Sequence, residues 1–526
     1  MTPIRRRPTR WIAALGVLLI VLGVAMPAHA VTYEVITGSG STWSQNALDQ
    51  WRRNVASNYG MTVNYSGVGS SAGRSDYING KIDFAVSEIP FQSQPEDGSA
   101  PEVPPRGFAY MPIVAGGTAF MYHLNIGGKR VTNLRLSGAV ITKIFTGAIT
   151  KWNDPEVQAD NPGLAMPDKA IVPVVRSDGS GSSAQFTLWM SKQHGDLWGN
   201  GMRSQFPTPA NGKAQSGSSG VAGYVSQGYG EGAITYVEYS YALEAGFPVA
   251  KVLNSQDYYV EPTADSVAVA LQYARINGDL TQILDEVYAN GDRRTYPLSS
   301  YSYMIVPTEV GGVFTEAKGQ TLGTFASYML CEGQQQAEDL GYSPLPMNLV
   351  RAGFDQIARI PGAGAANRDL NKCNNPTFKP GDDESSNQLA LTAKQPADCD
   401  KRGPNQCTTG TAGAPGETPV TGSGTGGAAA GAAGGTGGAG GAAAGGDAAA
   451  AAAAGDSAAA VYDSEGNLIS GGDGAVAGVA ASSPFTLDDE GWGWQQTVML
   501  AAVVLLIAVV AVPPVLSPRI RRKATR

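Results

Sequence analysis

The run Ile171-Val-Pro-Val-Val175, followed by Arg176-Ser177-Asp178-Gly179-Ser180-Gly181-Ser182-Ser183 and then by Phe186, Leu188, Trp189 and Met190, governs how the rest of the chain is read. A β-branched apolar run that stops at a Gly/Ser cluster reads as a strand entering a loop. The apolar residues beyond it recur at helical rather than alternating spacing, so the loop opens a helix. The same grammar occurs twice upstream. Thr32-Tyr-Glu-Val-Ile-Thr37 leads through Gly38-Ser39-Gly40-Ser41-Thr42 into a predicted helix from Trp43 to Ala56, with Ala47, Leu48, Trp51 and Val55 on one face. Met61-Thr-Val-Asn-Tyr65 leads through Ser66-Gly67-Val68-Gly69-Ser70-Ser71 into a short helix through Tyr77 and Ile78. Strands alternating with helices place the chain in the α/β class.

Junctions of this kind bind anions. The first turn of a helix leaves backbone N–H groups without partners, and the peptide dipoles add partial positive charge there. Glycine lets the backbone approach closely, and serine and threonine hydroxyls add rotatable donors. One such loop is often a plain helix cap. Three in one body, one of them carrying an arginine, point to a tetrahedral oxyanion.

Composition changes sharply along the 526 residues. Residues 409–478 are dense in glycine and alanine with few large apolar side chains, and such a stretch cannot offset its chain entropy by burial. It reads as a disordered tether with a root-mean-square reach of about 45–50 Å. The expected organisation is a signal peptide (1–30), a body (31–378), a polar then Gly/Ala-rich linker (379–495), a transmembrane helix (496–516) and a basic cytoplasmic tail (517–526). Arg5, Arg6, Arg7 and Arg10 precede an apolar stretch, and Ala28-His29-Ala30 supplies the small residues of a cleavage site before Val31. Near the other end, Trp492 and Trp494 flank an apolar span, and Arg519, Arg521, Arg522 and Lys523 follow it. This pattern predicts a single pass through the cell membrane with the body outside.

A net charge of −8 argues against nucleic acid as a partner. Only His123 and His194 remain after signal removal, both read as packing or surface residues, so neither metal nor cofactor is expected. Cys331, Cys373, Cys399 and Cys407 lie in the exported part and are expected to form disulfides. Three connectivities are open, and Cys331–Cys373 with Cys399–Cys407 is favoured because the last two sit together in a polar segment. Gly69-Ser70-Ser71-Ala72-Gly73 fits the G-x-S-x-G nucleophile pattern, which would make Ser71 a hydrolase nucleophile, but no histidine lies late in the body to serve as its base. Tyr236, Tyr239 and Tyr241 read as packing residues, and Lys151-Trp152-Asn153-Asp154 as a helix-ending turn.

With these loops in hand, the body resembles the substrate-binding proteins of bacterial high-affinity phosphate ABC importers. The likeness runs from Tyr33 to Pro346 and is carried by the first two loops in order, then by Ile82-Asp-Phe-Ala-Val-Ser-Glu88, Ile144-Phe-Thr-Gly-Ala-Ile-Thr-Lys-Trp-Asn-Asp154 and Asn161-Pro-Gly-Leu164. Val175-Arg-Ser-Asp-Gly-Ser-Gly-Ser182, Gly232-Ala-Ile-Thr-Tyr-Val-Glu-Tyr239 and Leu340-Gly-Tyr-Ser-Pro-Leu-Pro346 complete it. The resemblance implies a two-lobed type II periplasmic-binding-protein fold, with one lobe from residues 31–117 and 302–378 and the other from 118–301. It implies a monomer that is not an enzyme, holding inorganic phosphate between the lobes for ABC permease subunits. Carried over by position, the phosphate shell is Thr42, Trp43, Ser70, Glu88, Arg176, Ser180, Gly181 and Ser182, with Asp178 orienting Arg176.

Three positions depart from the family pattern, which has phenylalanine at Trp43, threonine at Ser182 and aspartate at Glu88. The first two keep the backbone N–H. Glu88 keeps a carboxylate that accepts the proton of phosphate, which sulfate lacks, but is longer by one methylene. The alternatives are a surface phosphate sensor or a receptor for another oxyanion, without transport, and a serine hydrolase or phosphatase using Ser71.

Overall fold

A computed structural model describes residues 32–364, 370–383, 386–411, 461–462 and 468–470. The expected signal peptide, transmembrane helix and basic tail lie outside the described residues, as does the Gly/Ala tract apart from residues 409–411, 461–462 and 468–470. Among the described residues no helix is long and apolar enough to cross a membrane. The chain divides into residues 1–438 and 439–526. Val461–Tyr462 pairs antiparallel with Leu468–Ser470 in the second unit, and the folded body lies in the first.

Its elements, in order, are β1 (Ile36–Gly40), α1 (Gln45–Tyr59), β2 (Val63–Ser66), α2 (Ser70–Ile78), β3 (Phe84–Ser87), β4 (Phe108–Tyr122), β5 (Val172–Arg176), α3 (Gly181–Gln193), β6 (Lys213–Gln215), α4 (Gly217–Ser226), β7 (Ala233–Glu238), α5 (Ala264–Leu271), β8 (Ser299–Pro307), α6 (Glu316–Leu330), α7 (Met347–Ile357) and α8 (Gln388–Thr392), with shorter pieces between them. Eight strands form one sheet in the order β2-β1-β3-β8-β4-β7-β5-β6. The flanks are parallel: β1 pairs with β2 and β3, and β5 pairs with β7 and β6. The long central strands β4 and β8 run antiparallel to each other and carry the chain from one lobe to the other.

Each lobe has its own core. Trp51, Phe84, Met304, Phe325 and Phe354 pack in the first, and Phe120, Phe145, Trp152, Phe186 and Tyr236 in the second. Val174, Val221, Tyr239 and Phe247 fill the opposite face of the second-lobe strands. The apolar stripe read in α1 is the buried face of that helix, comprising Ala47, Leu48, Trp51 and Val55. The helix stops at Gly60, whose φ of 64° lets its N–H return to the last turn. Asp154 does not merely close a turn: its side chain accepts from Glu156 N–H and starts the short helix Pro155–Asp160.

Both favoured disulfides are formed, Cys331–Cys373 and Cys399–Cys407. The second belongs to a segment expected to be linker, and here the structure corrects the sequence reading. The body does not end at Phe378. Leu389, Ala390 and Ala393 of the α8 region bury against Ala264, Ala268 and Val269 of α5. Beyond them, Lys251 Nζ pairs with Asp400 at 2.8 Å, and Arg135 Nη1 donates to the carbonyls of Cys399 and Asn405. Asn133 Nδ2 reaches Cys407 O at 2.7 Å, and Thr411 N–H donates to Thr132 O. Residues 386–411 therefore form a strap on the body. It is held by buried cations, backbone hydrogen bonds and a short covalent loop, with little apolar area for composition to betray.

Chain-entropy arithmetic ranks the two bridges. Replacing both cysteines of the 331–373 pair by serine is expected to cost about 4 kcal/mol, and of the 399–407 pair about 2.5 kcal/mol, because their sequence separations are 42 and 8. Denaturant unfolding of the full-length chain under non-reducing conditions measures both. Equal costs would mean that loop closure is not what the bridges contribute.

Candidate functional site

The carboxyl ends of the parallel strands point to the seam between the lobes, where open α/β sheets present their ligand-binding loops. The β1–α1 and β2–α2 loops meet it from one side and the β5–α3 loop from the other. A fourth loop of the same kind joins them. Gln215-Ser216-Gly217-Ser218 leads from β6 into α4, and Ser218 Oγ lies 2.8 Å from Thr42 Oγ1 and 3.3 Å from Arg176 Nη1. Sequence reading missed this loop, although its Gly/Ser spelling matched the others.

Arg176 ends β5 and is 2% exposed. Its Nε donates to Asp178 Oδ1 at 2.7 Å and its Nη2 to Asp178 Oδ2, a bidentate pair that fixes the guanidinium plane. Gly217 N–H also donates to Asp178. Burial pushes the Asp178 carboxyl up, but the hydrogen bonds and charge of Arg176, with the Gly217 N–H, outweigh it and hold the group below its ordinary value. Asp178 thus stays ionised and cancels the charge of Arg176 locally. The Arg176 backbone N–H donates to Tyr236 OH, which also bonds Ser183 Oγ, and Tyr241 OH donates to Thr42 O. The tyrosines read as packing residues do pack, and two of them also hold the loops in place.

Glu88 follows β3 and is fully buried. Ser70 Oγ donates to its Oε2 at 2.8 Å and Ser302 Oγ to its Oε1 at 3.0 Å, and Ser41 bonds it as well. Burial raises its pKa above the ordinary value; the three hydroxyls and the charge of Arg176 offset this only in part. Gly181, the first residue of α3, comes from the other lobe to lie flush on this carboxylate. Its N–H donates to Ser70 Oγ at 3.1 Å, and a Cβ there would stand 1.9 Å from Glu88 Oε2. Gly69, at φ 92°, is confined in the same way: a Cβ would lie 2.5 Å from Asp178 Oδ2.

The structure brings Thr42, Trp43, Ser70, Glu88, Arg176, Asp178, Ser180, Gly181 and Ser182 to this one locus. Ser180 caps α3, accepting from Ser183 N–H. Trp43 N–H donates to Ser41 Oγ, and its indole is buried against Thr118 and Tyr342. Ser182 Oγ is buried and has no hydrogen-bond partner. An orphan hydroxyl there costs desolvation unless a ligand oxygen meets it. Ser71 lies at the rim with Arg74 Nη2 as its side-chain neighbour, 3.4 Å away. Neither histidine serves it: His123 packs on Phe247 and bonds Val225 O, and His194 packs on Trp189. Among the described residues no cluster of side chains is arranged to hold a metal ion.

Closure rests on the fit of Gly181 to Glu88. Gly181→Ala is expected to destabilise the chain by about 1–3 kcal/mol through overpacking. Combining it with Glu88→Asp, which withdraws the carboxylate by one methylene, should recover most of that loss in a double-mutant cycle read by thermal unfolding. Strict additivity would show that the two positions do not press on each other.

Comparison with known proteins agrees with this geometry. Residues 25–332 match the family model of the PBP superfamily domain. The phosphate-binding protein PstS of Xylella fastidiosa (strain Temecula1) is 32% identical over 324 residues, covering 60% of this chain and 83% of that protein. Phosphate-binding protein PstS 2 of Mycobacterium tuberculosis is 31% identical over 332 residues, covering 62% and 86%. Phosphate-binding protein PstS 3 of Mycobacterium leprae is 32% identical over 319 residues, covering 59% and 83%. With the fold, the loops and these likenesses in agreement, the chain belongs to the PBP superfamily as a member of the PstS family.

Proposed function

We propose that this chain captures inorganic phosphate between its lobes and delivers it to the permease of an ABC importer, without turning it over. The observation that carries the reading is Ser182 Oγ, buried without a partner at the start of α3. It stands where helix amino ends converge beside an arginine already neutralised by Asp178. A tetrahedral oxyanion supplies acceptors to Ser182, Thr42, Arg176 and the helix N–H groups. It also takes over the bonds that Ser70 and Gly181 now make to each other. Phosphate alone among common tetrahedral oxyanions of that size near neutral pH, arsenate aside, also brings a proton for Glu88. Sulfate would leave the buried carboxylate facing a lone pair.

The expected signal peptide, the apolar span at 496–516 and the basic tail support an export route. In that arrangement the body works outside the cell as a monomer tethered to the membrane by residues 412–495, with the tail in the cytoplasm.

Calorimetry of the full-length chain near neutral pH should find phosphate binding without sulfate binding. Arg176→Ala, which also leaves Asp178 buried without its cation, should weaken phosphate binding by about a hundredfold or more. Absence of phosphate binding by the unaltered chain, or sulfate binding equal to it, removes the reading. Phosphate ester hydrolysis lost on Ser71→Ala would instead favour the hydrolase.

The pH dependence has a definite sign. The ionised, accepting form of Glu88 is present above its raised pKa and is lost as pH falls through it. Phosphate affinity should therefore begin to fall at a higher pH than an ordinary glutamate, near pH 4.3, would dictate. The preference over sulfate should narrow over the same interval, because a protonated Glu88 offers sulfate a donor. A preference that stays constant down to the ordinary carboxylate range would separate Glu88 from ligand choice.

A further inference from the structure

Ser44 is the N-cap residue of α1, where a serine hydroxyl ordinarily accepts from an N–H of the first turn. Here it makes no such bond. Its Oγ lies instead 3.1 Å from Ser302 Oγ, and Ser302 Oγ lies 3.0 Å from Glu88 Oε1. All three residues are 0% exposed. Ser302 is on β8, one of the two strands that cross between the lobes, at the point where its pairing with β4 slips by one residue. Such irregularities in a sheet re-aim side chains next to sites.

A hydroxyl has one proton to give, so this line of oxygens has a direction. An ionised carboxylate only accepts, which commits the Ser302 proton to Oε1. Ser302 then has its lone pairs free, and Ser44 donates to it. The helix cap has been given up to complete this line. The other carboxylate oxygen, Oε2, is the one that faces Ser70 and the start of α3.

We propose that Ser302, backed by Ser44, is the positioning residue that sets anion selectivity at this site: by donating to Glu88 Oε1 it keeps the carboxylate ionised and leaves Oε2 to accept the proton of a protonated tetrahedral oxyanion. This rests on the phosphate reading above and adds the device that makes a buried glutamate work as an acceptor. The remaining groups that face Glu88 agree with it. Arg176, on β5, favours the ionised form, but Asp178 shares its charge. Tyr65, on β2, is held neutral by burial and by the Glu88 charge, so it does not compete as an anion. Ser41 and Ser70 hydroxyls complete the shell.

The test is calorimetry of the full-length chain with inorganic phosphate and with sulfate, from about pH 5 to 8, comparing the unaltered chain with Ser302→Ala, Ser302→Thr and Ser44→Ala. Ser302→Ala should weaken phosphate binding about tenfold near neutral pH and move the acid limb of the affinity profile up by about one pH unit. Sulfate discrimination should shrink at a pH where the unaltered chain still discriminates. Ser302→Thr, which keeps the hydroxyl, should restore the profile, and Ser44→Ala should shift it in the same direction by less. A Ser302→Ala profile that superimposes on that of the unaltered chain, while Glu88→Gln displaces it, overturns the proposal. Should Ser302→Ala not fold, Ser302→Cys, a weaker donor, carries the same expectation, and an unshifted profile counts against the proposal equally. Failure of the unaltered chain to bind phosphate at all is a different outcome: it removes the phosphate reading and this inference with it.

Discussion

A carboxylate taken out of water at the centre of a protein demands compensation, and the geometry around Glu88 is the form that compensation takes. Stripping an ion of water costs several kcal/mol unless hydrogen bonds and opposite charge replace the solvent. Glu88 is fully buried, so Ser41, Ser70 and Ser302 supply hydroxyls and Arg176 supplies distant positive charge. These residues come from separate stretches of the chain: the β1 loop, the start of α2, the crossing strand β8 and the end of β5. Satisfying one side chain therefore ties four elements together. It also explains why α3 must begin with glycine, since any Cβ at Gly181 would occupy the space of the carboxylate.

The second constraint is charge balance. An arginine facing an anion could bind it by net charge, but Asp178 has already claimed two of the Arg176 nitrogens. What remains for a ligand is a set of oriented dipoles: helix amino ends, hydroxyls, and the Nη1 edge of the guanidinium, where Ser218 Oγ stands at 3.3 Å. Binding by dipoles has a consequence for exchange. A site with little net charge does not hold every anion that diffuses in, and recognition falls to the pattern of donors and acceptors. The buried orphan hydroxyl of Ser182 and the accepting oxygen of Glu88 are complementary parts of that pattern, one needing an acceptor and the other a proton.

Legibility in the sequence followed how local each signal is. The three strand–loop–helix junctions could be read because each is written in consecutive residues, strand pattern first and helix pattern after. The fourth, at Gly217 and Ser218, was missed because its strand is only Lys213–Gln215, too short and polar to announce itself. Ser302 carries no signal of its own: it sits in an alternation of serine and tyrosine, and its partner Glu88 is 214 residues away. The strap at 386–411 was hidden for a related reason. It adheres through Arg135, Lys251 and backbone carbonyls rather than through an apolar stripe, so the drop in hydropathy after Phe378 looked like the end of the fold.

That strap changes how the lobes are connected. Before it, Phe378 is buried in the first-lobe core, and Asn375 and Thr377 bond the carbonyls of Leu330 and Leu345. In its last stretch, Arg402 N–H and Thr411 N–H donate to the carbonyls of Asp257 and Thr132 of the second lobe. The chain thus passes between the lobes a third time, outside the sheet, with a disulfide near each end of the passage. Two strands of one sheet form a hinge that can bend, whereas a third connection lying off that axis restricts how far the bend can go. Between those anchors α8 docks through Leu389, Ala390 and Ala393 and through Arg294 Nη1, which donates to the carbonyls of Ala390 and Ala393. The strap is thus held along its length by the buried Lys251–Asp400 pair, by Arg294 on the α8 carbonyls and by the Cys399–Cys407 loop, so polar contacts fix its place on the body as much as apolar burial does.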